Sequence, residues 1–305
     1  MCLVDNQQHS KAITYLMRAM QTKPMDDMLA CAATELVLAF EEVQDMVQAR
    51  AAAQWAIDQG ISQWNDAYQR PGLCCSMLDN HMSFCHSSHS LYPSWCILLQ
   101  KHYPTIKAEY LQLEASNWSR VGGTHRASGQ HDAKVVECGD WDEIVLFGSG
   151  HEHSGNVWTQ RTRSILKQCV PDAVTLCEEG AGEIIFSRLR PKTRIAPHCA
   201  STNLRWTAHL GVVVPSGGKC AIRVKDTWHS WKEGEILVFD DSFEHQVVND
   251  TLGDRVVLLL RFWHPSIPPH LREMALAEIM QQQELMEKLR FTPPNNRDNS
   301  IWDKA

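Results

Sequence analysis

Two histidines stand at the ends of one stretch of the chain: His198 in Pro197-His198-Cys199-Ala200, and His245 in Asp240-Asp241-Ser242-Phe243-Glu244-His245. Between them lie short, apolar, β-branched segments parted by turn residues, and Arg255 follows at the start of Val256-Val257-Leu258-Leu259-Leu260. A histidine pair on such a scaffold, with a strand arginine after the second, is what a mononuclear iron site using 2-oxoglutarate requires. A guanidinium entering so apolar a strand must be paired, because a lone buried charge is costly. A dicarboxylate cosubstrate offers that partner with bidentate geometry; an exposed strand start just after Gly253-Asp254 is the alternative.

Period-two geometry brings in further positions. Along the run from Arg205 to Gly211, the residues Arg205, Thr207 and His209 share one face, and Trp206, Ala208, Leu210 and Val212 share the other. On a central strand of a closed sandwich, one side meets the core between the sheets and the other meets something polar. Arg205 and His209 are therefore either ligand contacts or part of a solvated face. Ser187, in Ile184-Ile185-Phe186-Ser187, could add a hydroxyl.

The elements that must position these residues read as strands over 183–189, 194–197, 205–215, 219–224, 236–239, 245–249 and 255–263, preceded by another at 143–147. Gly217-Gly218, Glu233-Gly234 and Leu252-Gly253-Asp254 are expected to supply hairpin turns. Even spacing of this kind fits a jelly roll better than a βαβ fold. Upstream, 25–60 reads as an amphipathic helix or helix pair that supports the domain or simply packs, and 93–115 is helical again. Val170-Pro171-Asp172-Ala173 marks a turn or helix start. After Pro268-Pro269 a polar helix over 270–290 leads into a loose tail. The expected division is a helical N-terminal region (1–115), a mainly β catalytic domain (116–268), and a C-terminal helix and tail (269–305).

Composition narrows the function classes. A net charge of -7 and the lack of a Lys/Arg cluster to neutralise phosphates argue against a nucleic-acid surface, so no nucleic-acid partner is expected. The first residues are polar and no apolar run approaches the roughly 18 residues of a membrane span, so a cytoplasmic protein without a membrane partner is expected. An odd count of 11 cysteines suits free thiols in a reducing compartment. Cys74, Cys75, His81, Cys85, His86 and His89 crowd the stretch 74–89, but their spacing is not that of a zinc site, and a loop with incidental thiols is the expectation. The oligomeric state is not legible here.

Taken together, His198 to Pro215, Trp231 to His245, Arg255 and Phe262-Trp263-His264-Pro265 resemble the aspartyl/asparaginyl β-hydroxylase family. The likeness runs from Leu113 to Pro265 and extends upstream through Tyr68-Gln69-Arg70-Pro71-Gly72. It implies a double-stranded β-helix, a cupin-like jelly roll, that hydroxylates an unactivated C–H bond with iron(II), 2-oxoglutarate and dioxygen, releasing succinate. It further implies that His198 and His245 ligate iron, that Ser187 and Arg255 hold the distal carboxylate of 2-oxoglutarate, and that His209 meets the carboxylate beside the ketone.

Two departures bear on activity. The usual facial triad carries a carboxylate two residues after the first histidine, where this chain has Ala200, an open coordination position. Animal members of the family lack that carboxylate and still hydroxylate, whereas 2-oxoglutarate-dependent halogenases use the vacancy for chloride; both reactions stay open, as does a non-catalytic cupin-like binding protein. The family's peptide hydroxylases also grip an acidic side chain with basic residues where this chain has Thr207 and Ile185. The expected substrate is therefore a small molecule or another kind of peptide. Arg205, Thr207, His151 and Trp158 are the candidate pocket residues, and His151-Glu152-His153 is a pocket wall or, less simply, a second metal site.

Overall fold

The computed structural model describes residues 26–78, 82–121, 135–148 and 158–291, with 11, 13–14 and 16–18 ahead of them. Its strands, in chain order, are β1 (Phe84–Cys85), β2 (Ser119–Arg120), β3 (Val136–Cys138), β4 (Trp141–Phe147), β5 (Ile184–Leu189) and β6 (Thr193–His198), followed by β7 (Arg205–Val213), β8 (Cys220–Val224), β9 (Thr227–Ser230), β10 (Ile236–Phe239), β11 (His245–Asn249) and β12 (Arg255–Trp263). They form a seven-stranded sheet of order β1-β10-β7-β12-β5-β4-β2 and a five-stranded sheet of order β3-β6-β11-β8-β9. All pairings are antiparallel.

From β5 onward the chain alternates between the sheets, except at the β8–β9 hairpin, the winding of a double-stranded β-helix. This corrects the expected hairpins. Gly217-Gly218 joins β7 to β8, Glu233-Gly234 joins β9 to β10, and Leu252-Gly253-Asp254 joins β11 to β12, and each of these pairs is split between the two sheets. Glycine-rich corners permit tight reversal whether or not the flanking strands pair, so turn residues alone do not distinguish the two cases. The hairpin at this end is β8–β9, turned at Lys225-Asp226 with Lys225 at φ 56.

Two apolar layers account for the strand patterns. Facing the small sheet, the large sheet contributes Ile185, Leu189, Phe239, Val257 and Leu259 to a core shared with Ile195, Ile222, Val224 and Val247. Its other face, including Trp206, Ala208, Leu210, Leu258 and Leu260, is covered by helices. These are α3 (Trp95–Lys101) and α4 (Tyr103–Tyr110), with α5 (Gln160–Cys169) and α6 (Pro171–Glu178) beside them, numbered after the N-terminal pair α1 (Asp26–Glu42) and α2 (Met46–Asp58). The apolar face of β7 is thus the helix-covered face, and its polar face looks between the sheets. Fully burying Trp206 there makes it an anchor whose truncation costs about 3–5 kcal/mol.

The helical lead-in is a pair broken at Gln44, φ 60, where Asp45 caps α2 by accepting from Gln48 N at 3.1 Å. Leu36, Val37, Phe40, Ala49 and Ala53 pack it together with Trp64 and Ala67. The α5 helix had no expected counterpart; Glu109 of α4 accepts its first backbone N–H groups, from Arg161 at 2.9 Å and Thr162 at 2.7 Å. At the end, α7 (Arg272–Phe291) packs Ala275 and Ile279 on Trp263 and Leu204. The tail beyond residue 291 lies outside the described residues. No helix among the described residues is long and apolar enough to cross a membrane. The nine cysteines described with their side chains are free thiols.

Candidate active site

β6 ends on His198 and β11 begins on His245, and the two are directly paired in the antiparallel register. Both side chains therefore leave the same face of the small sheet, and their ring centroids lie 4.1 Å apart. His198 Nδ1 is 2.9 Å from Ala196 O, and His245 Nδ1 is 2.8 Å from Phe243 O. A carbonyl partner takes an N–H, so each Nδ1 carries a proton, and in the neutral ring Nε2 then presents its lone pair, the tautomer a metal requires. Burial pushes the His245 ring below its ordinary value, which keeps it neutral. Among the described residues no group of three histidines, cysteines or carboxylates is placed to hold a metal ion. Ala200 N instead donates to Asp241 O at 2.8 Å, stitching together the loops that carry the two histidines.

On the large sheet, Arg255 is opposite Leu189, Val257 opposite Ser187, and Leu259 opposite His209. Period two then sends Arg255, Ser187 and His209 into one interior, and each is at most 5% exposed. Trp141 Nε1 donates to Ser187 Oγ at 2.9 Å, and Trp231 Nε1 donates to His209 Nδ1 at 3.3 Å. The latter places the His209 proton on Nε2, which has no hydrogen-bond partner among the described residues. Burial first, and then the nearby Arg255 and His245, push His209 well below its ordinary value, so the ring is a neutral donor.

Arg255 stacks on Trp231, its guanidinium carbon 4.7 Å from the ring centroid, yet its buried Nε and Nη1 have no hydrogen-bond partner among the described residues. Burial lowers its pKa to about 10, against a smaller opposing influence of Cys220. Three buried donors aimed into one interior without acceptors cost roughly 1–3 kcal/mol each unless something fills them.

Where the interior meets the ligand loops, Thr207 Oγ1 donates to Asp241 Oδ2 at 2.8 Å, and Arg261 bridges Glu183 at 2.9 Å and Asp241 at 3.4 Å. Asp241 Oδ1 is buried without a hydrogen-bond partner. Arg205 is half-buried and donates to Ala181 O. Trp158 is 53% exposed, unlike the buried residues of the interior. His151 and His153 lie outside the described residues, as does His81. Sequence reasoning missed Asp241, Trp231 and Arg261. Asp241 lies four residues before His245 in a run already singled out, which was the available signal.

Glu244, beside His245, is fully buried among three arginines: Arg50 at 2.7 Å, Arg70 at 3.0 Å and Arg223 at 2.9 Å. Burial alone would push its carboxyl up, and these guanidinium groups hold it below its ordinary value.

Residues 100–265, more than half of the chain, match the family model described as aspartyl/asparaginyl beta-hydroxylase. The chain belongs to that family. It is 35% identical over 141 residues to the aspartyl/asparaginyl beta-hydroxylase of Homo sapiens, covering 46% of this chain and 18% of the human protein. It is 30% identical over 177 residues to the ornithine lipid ester-linked acyl 2-hydroxylase of Rhizobium tropici, covering 57% of this chain and 59% of that protein. Less than two thirds of either relative is thus represented. Among solved structures, a Pseudomonas putida prolyl-4-hydroxylase aligns at TM-score 0.33 and 12% identity, over 60% of this chain and 93% of that one. At that score the superposition carries no weight, and the jelly roll rests on the chain's own strand order.

Proposed function

We propose that this member of the hydroxylase family is an iron(II)- and 2-oxoglutarate-dependent hydroxylase, and that its substrate is a small molecule or peptide without an acidic side chain at the reacting position. The observation that carries the reading is the set of orphaned donors facing one interior: Arg255 Nε and Nη1 and His209 Nε2. Their chemistry fits a dicarboxylate. Two imidazoles on registered strands, each with Nδ1 held by a backbone carbonyl, suit iron(II).

With iron and 2-oxoglutarate bound, one oxygen atom of dioxygen enters the substrate and the other enters succinate as carbon dioxide leaves. The protein's part is binding and orientation. His198 and His245 hold the metal, each ring fixed by a backbone carbonyl. Arg255 and the Ser187 hydroxyl take the distal carboxylate, and the Nε2–H of His209 donates to the carboxylate beside the ketone. Trp231 orders two of these groups at once. Thr207 carries no charge and its hydroxyl proton is committed to Asp241, so it offers an acidic substrate neither a cation nor a free donor. The neighbouring Arg261 is neutralised by Glu183 and Asp241.

The test is turnover of 2-oxoglutarate alone. Succinate formation that needs added iron(II) and disappears in His198→Ala supports the reading. No iron-dependent succinate, or a His198→Ala variant indistinguishable from the parent, returns the chain to a cupin-like binding protein.

A further inference from the structure

The N-terminal helices are tied to the histidine loops by a strap of residues 66–75. On one side, Glu244 N donates to Tyr68 O at 2.7 Å, and Gln69 Nε2 donates to Ser242 Oγ at 2.9 Å and Asp240 Oδ2 at 3.2 Å. On the other, Leu73 N donates to Ser201 O at 2.9 Å and Cys75 N to Asn203 Oδ1 at 2.8 Å. The strap therefore holds both the loop after His198 and the loop before His245. Arg70 fastens it, donating to Glu41 of α1 at 2.7 Å, to Glu244 at 3.0 Å and to its own strap at Ala67 O.

Charge concentrates at one point of this clamp. Arg50 of α2 reaches both oxygens of Glu244, at 2.7 and 2.8 Å, while Arg223 of β8 donates to Oε1 of the same carboxylate at 2.9 Å. Glu244 is joined to His245 by one peptide bond, and its own carbonyl accepts from Lys225 N at 2.9 Å. Every polar group of Glu244 is thus fixed by another element. A carboxylate buried in this way leaves its neighbour little torsional freedom, and outer groups that orient a metal ligand influence affinity strongly.

We propose that Glu244 and Arg50 are positioning residues for the metal site, so that a helix whose Arg50 lies 194 residues before Glu244 sets the aim of the His245 imidazole. The inference rests on His198 and His245 being the iron ligands. It makes α2 and the strap part of the metal site rather than a separable support.

The test is anaerobic titration of the full-length, metal-free chain with cobalt(II), followed by its visible spectrum, with thermal stability measured in parallel. Arg50→Met removes a partly exposed guanidinium, and Glu244→Gln removes the carboxylate itself. Each is expected to weaken cobalt(II) about tenfold or more and to alter the ligand-field bands, and Arg50→Lys is expected to recover most of the loss. Arg120→Met, at a surface pair with Asp140, is the control and is expected to bind as the parent does. Parental affinity and spectrum in Arg50→Met overturn the proposal whatever its thermal stability, because a structural role alone predicts that pattern. Should Glu244→Gln fail to fold, Arg50→Met and Arg50→Lys decide. A parent that binds no cobalt(II), or binds it equally well as His245→Ala, instead sinks the reading of the iron ligands.

Discussion

The indole N–H of Trp231 is hydrogen-bonded to Nδ1 of His209 at 3.3 Å. That contact fixes which nitrogen of a buried, neutral ring carries the proton. It makes Nε2 a donor toward the buried interior that Arg255 and Ser187 share. Trp231→Phe keeps an aromatic ring beside Arg255 and deletes the N–H. Its 2-oxoglutarate affinity should fall by roughly 1 kcal/mol, about fivefold, with metal affinity unchanged. Calorimetric titration of the metal-loaded, oxygen-free protein measures this, and an unaltered affinity contradicts the orienting role.

Arg255 presents stability and function as opposites. Its guanidinium is buried with two unpartnered nitrogens, so Arg255→Met should leave the ligand-free protein as stable as the parent or more so. The same change should weaken 2-oxoglutarate by roughly 1.5–3 kcal/mol, the worth of charge-assisted hydrogen bonds. Thermal melts with and without the cosubstrate separate the two effects. A variant that is destabilised when empty yet binds 2-oxoglutarate normally would place the carboxylate elsewhere.

Ala200 stands two residues after His198, where the proposed iron site would otherwise draw on a protein carboxylate. Hydroxylation predicts a product heavier by one oxygen atom in buffers with or without chloride or bromide. Mass spectrometry of the product decides, and incorporation of halogen would establish the halogenase alternative instead.

His264 is buried against Trp206, ring centroids 5.0 Å apart, and burial lowers its pKa to about 4. Its Nδ1 accepts from Ser266 N at 3.1 Å. Unfolded, the ring takes up its proton near the ordinary 6.5; folded, it waits until about 4. Between those values the unfolded chain binds the extra proton, so stability falls as pH drops through that window, by up to about 3 kcal/mol. Denaturant melts at pH 7 and pH 5 should show a smaller stability difference for His264→Gln than for the parent; equal differences would refute this.

The sequence carried the strand pattern well because the sandwich interior and the helix-covered face both demand alternation or long apolar runs. The expected strands from 183 to 263 coincide with β5 to β8 and β10 to β12 to within two residues. What it did not carry depends on partners far away in the chain. β9 is short and largely exposed, and β1, β2 and β3 are edge segments of two or three residues with no periodicity to detect. The glycine corners looked like hairpins because sheet membership is set by global winding. The histidine pair was legible from motif and order, whereas the arginines around Glu244 come from positions 50, 70 and 223, which no local spacing connects.

The most direct measurement is a crystal structure of the chain grown without oxygen, with iron(II) and 2-oxoglutarate, using anomalous scattering at the iron edge. The account predicts a single peak within bonding distance of Nε2 of both His198 and His245, with the distal carboxylate of 2-oxoglutarate on Arg255. A peak elsewhere, or 2-oxoglutarate bound away from Arg255, would contradict it.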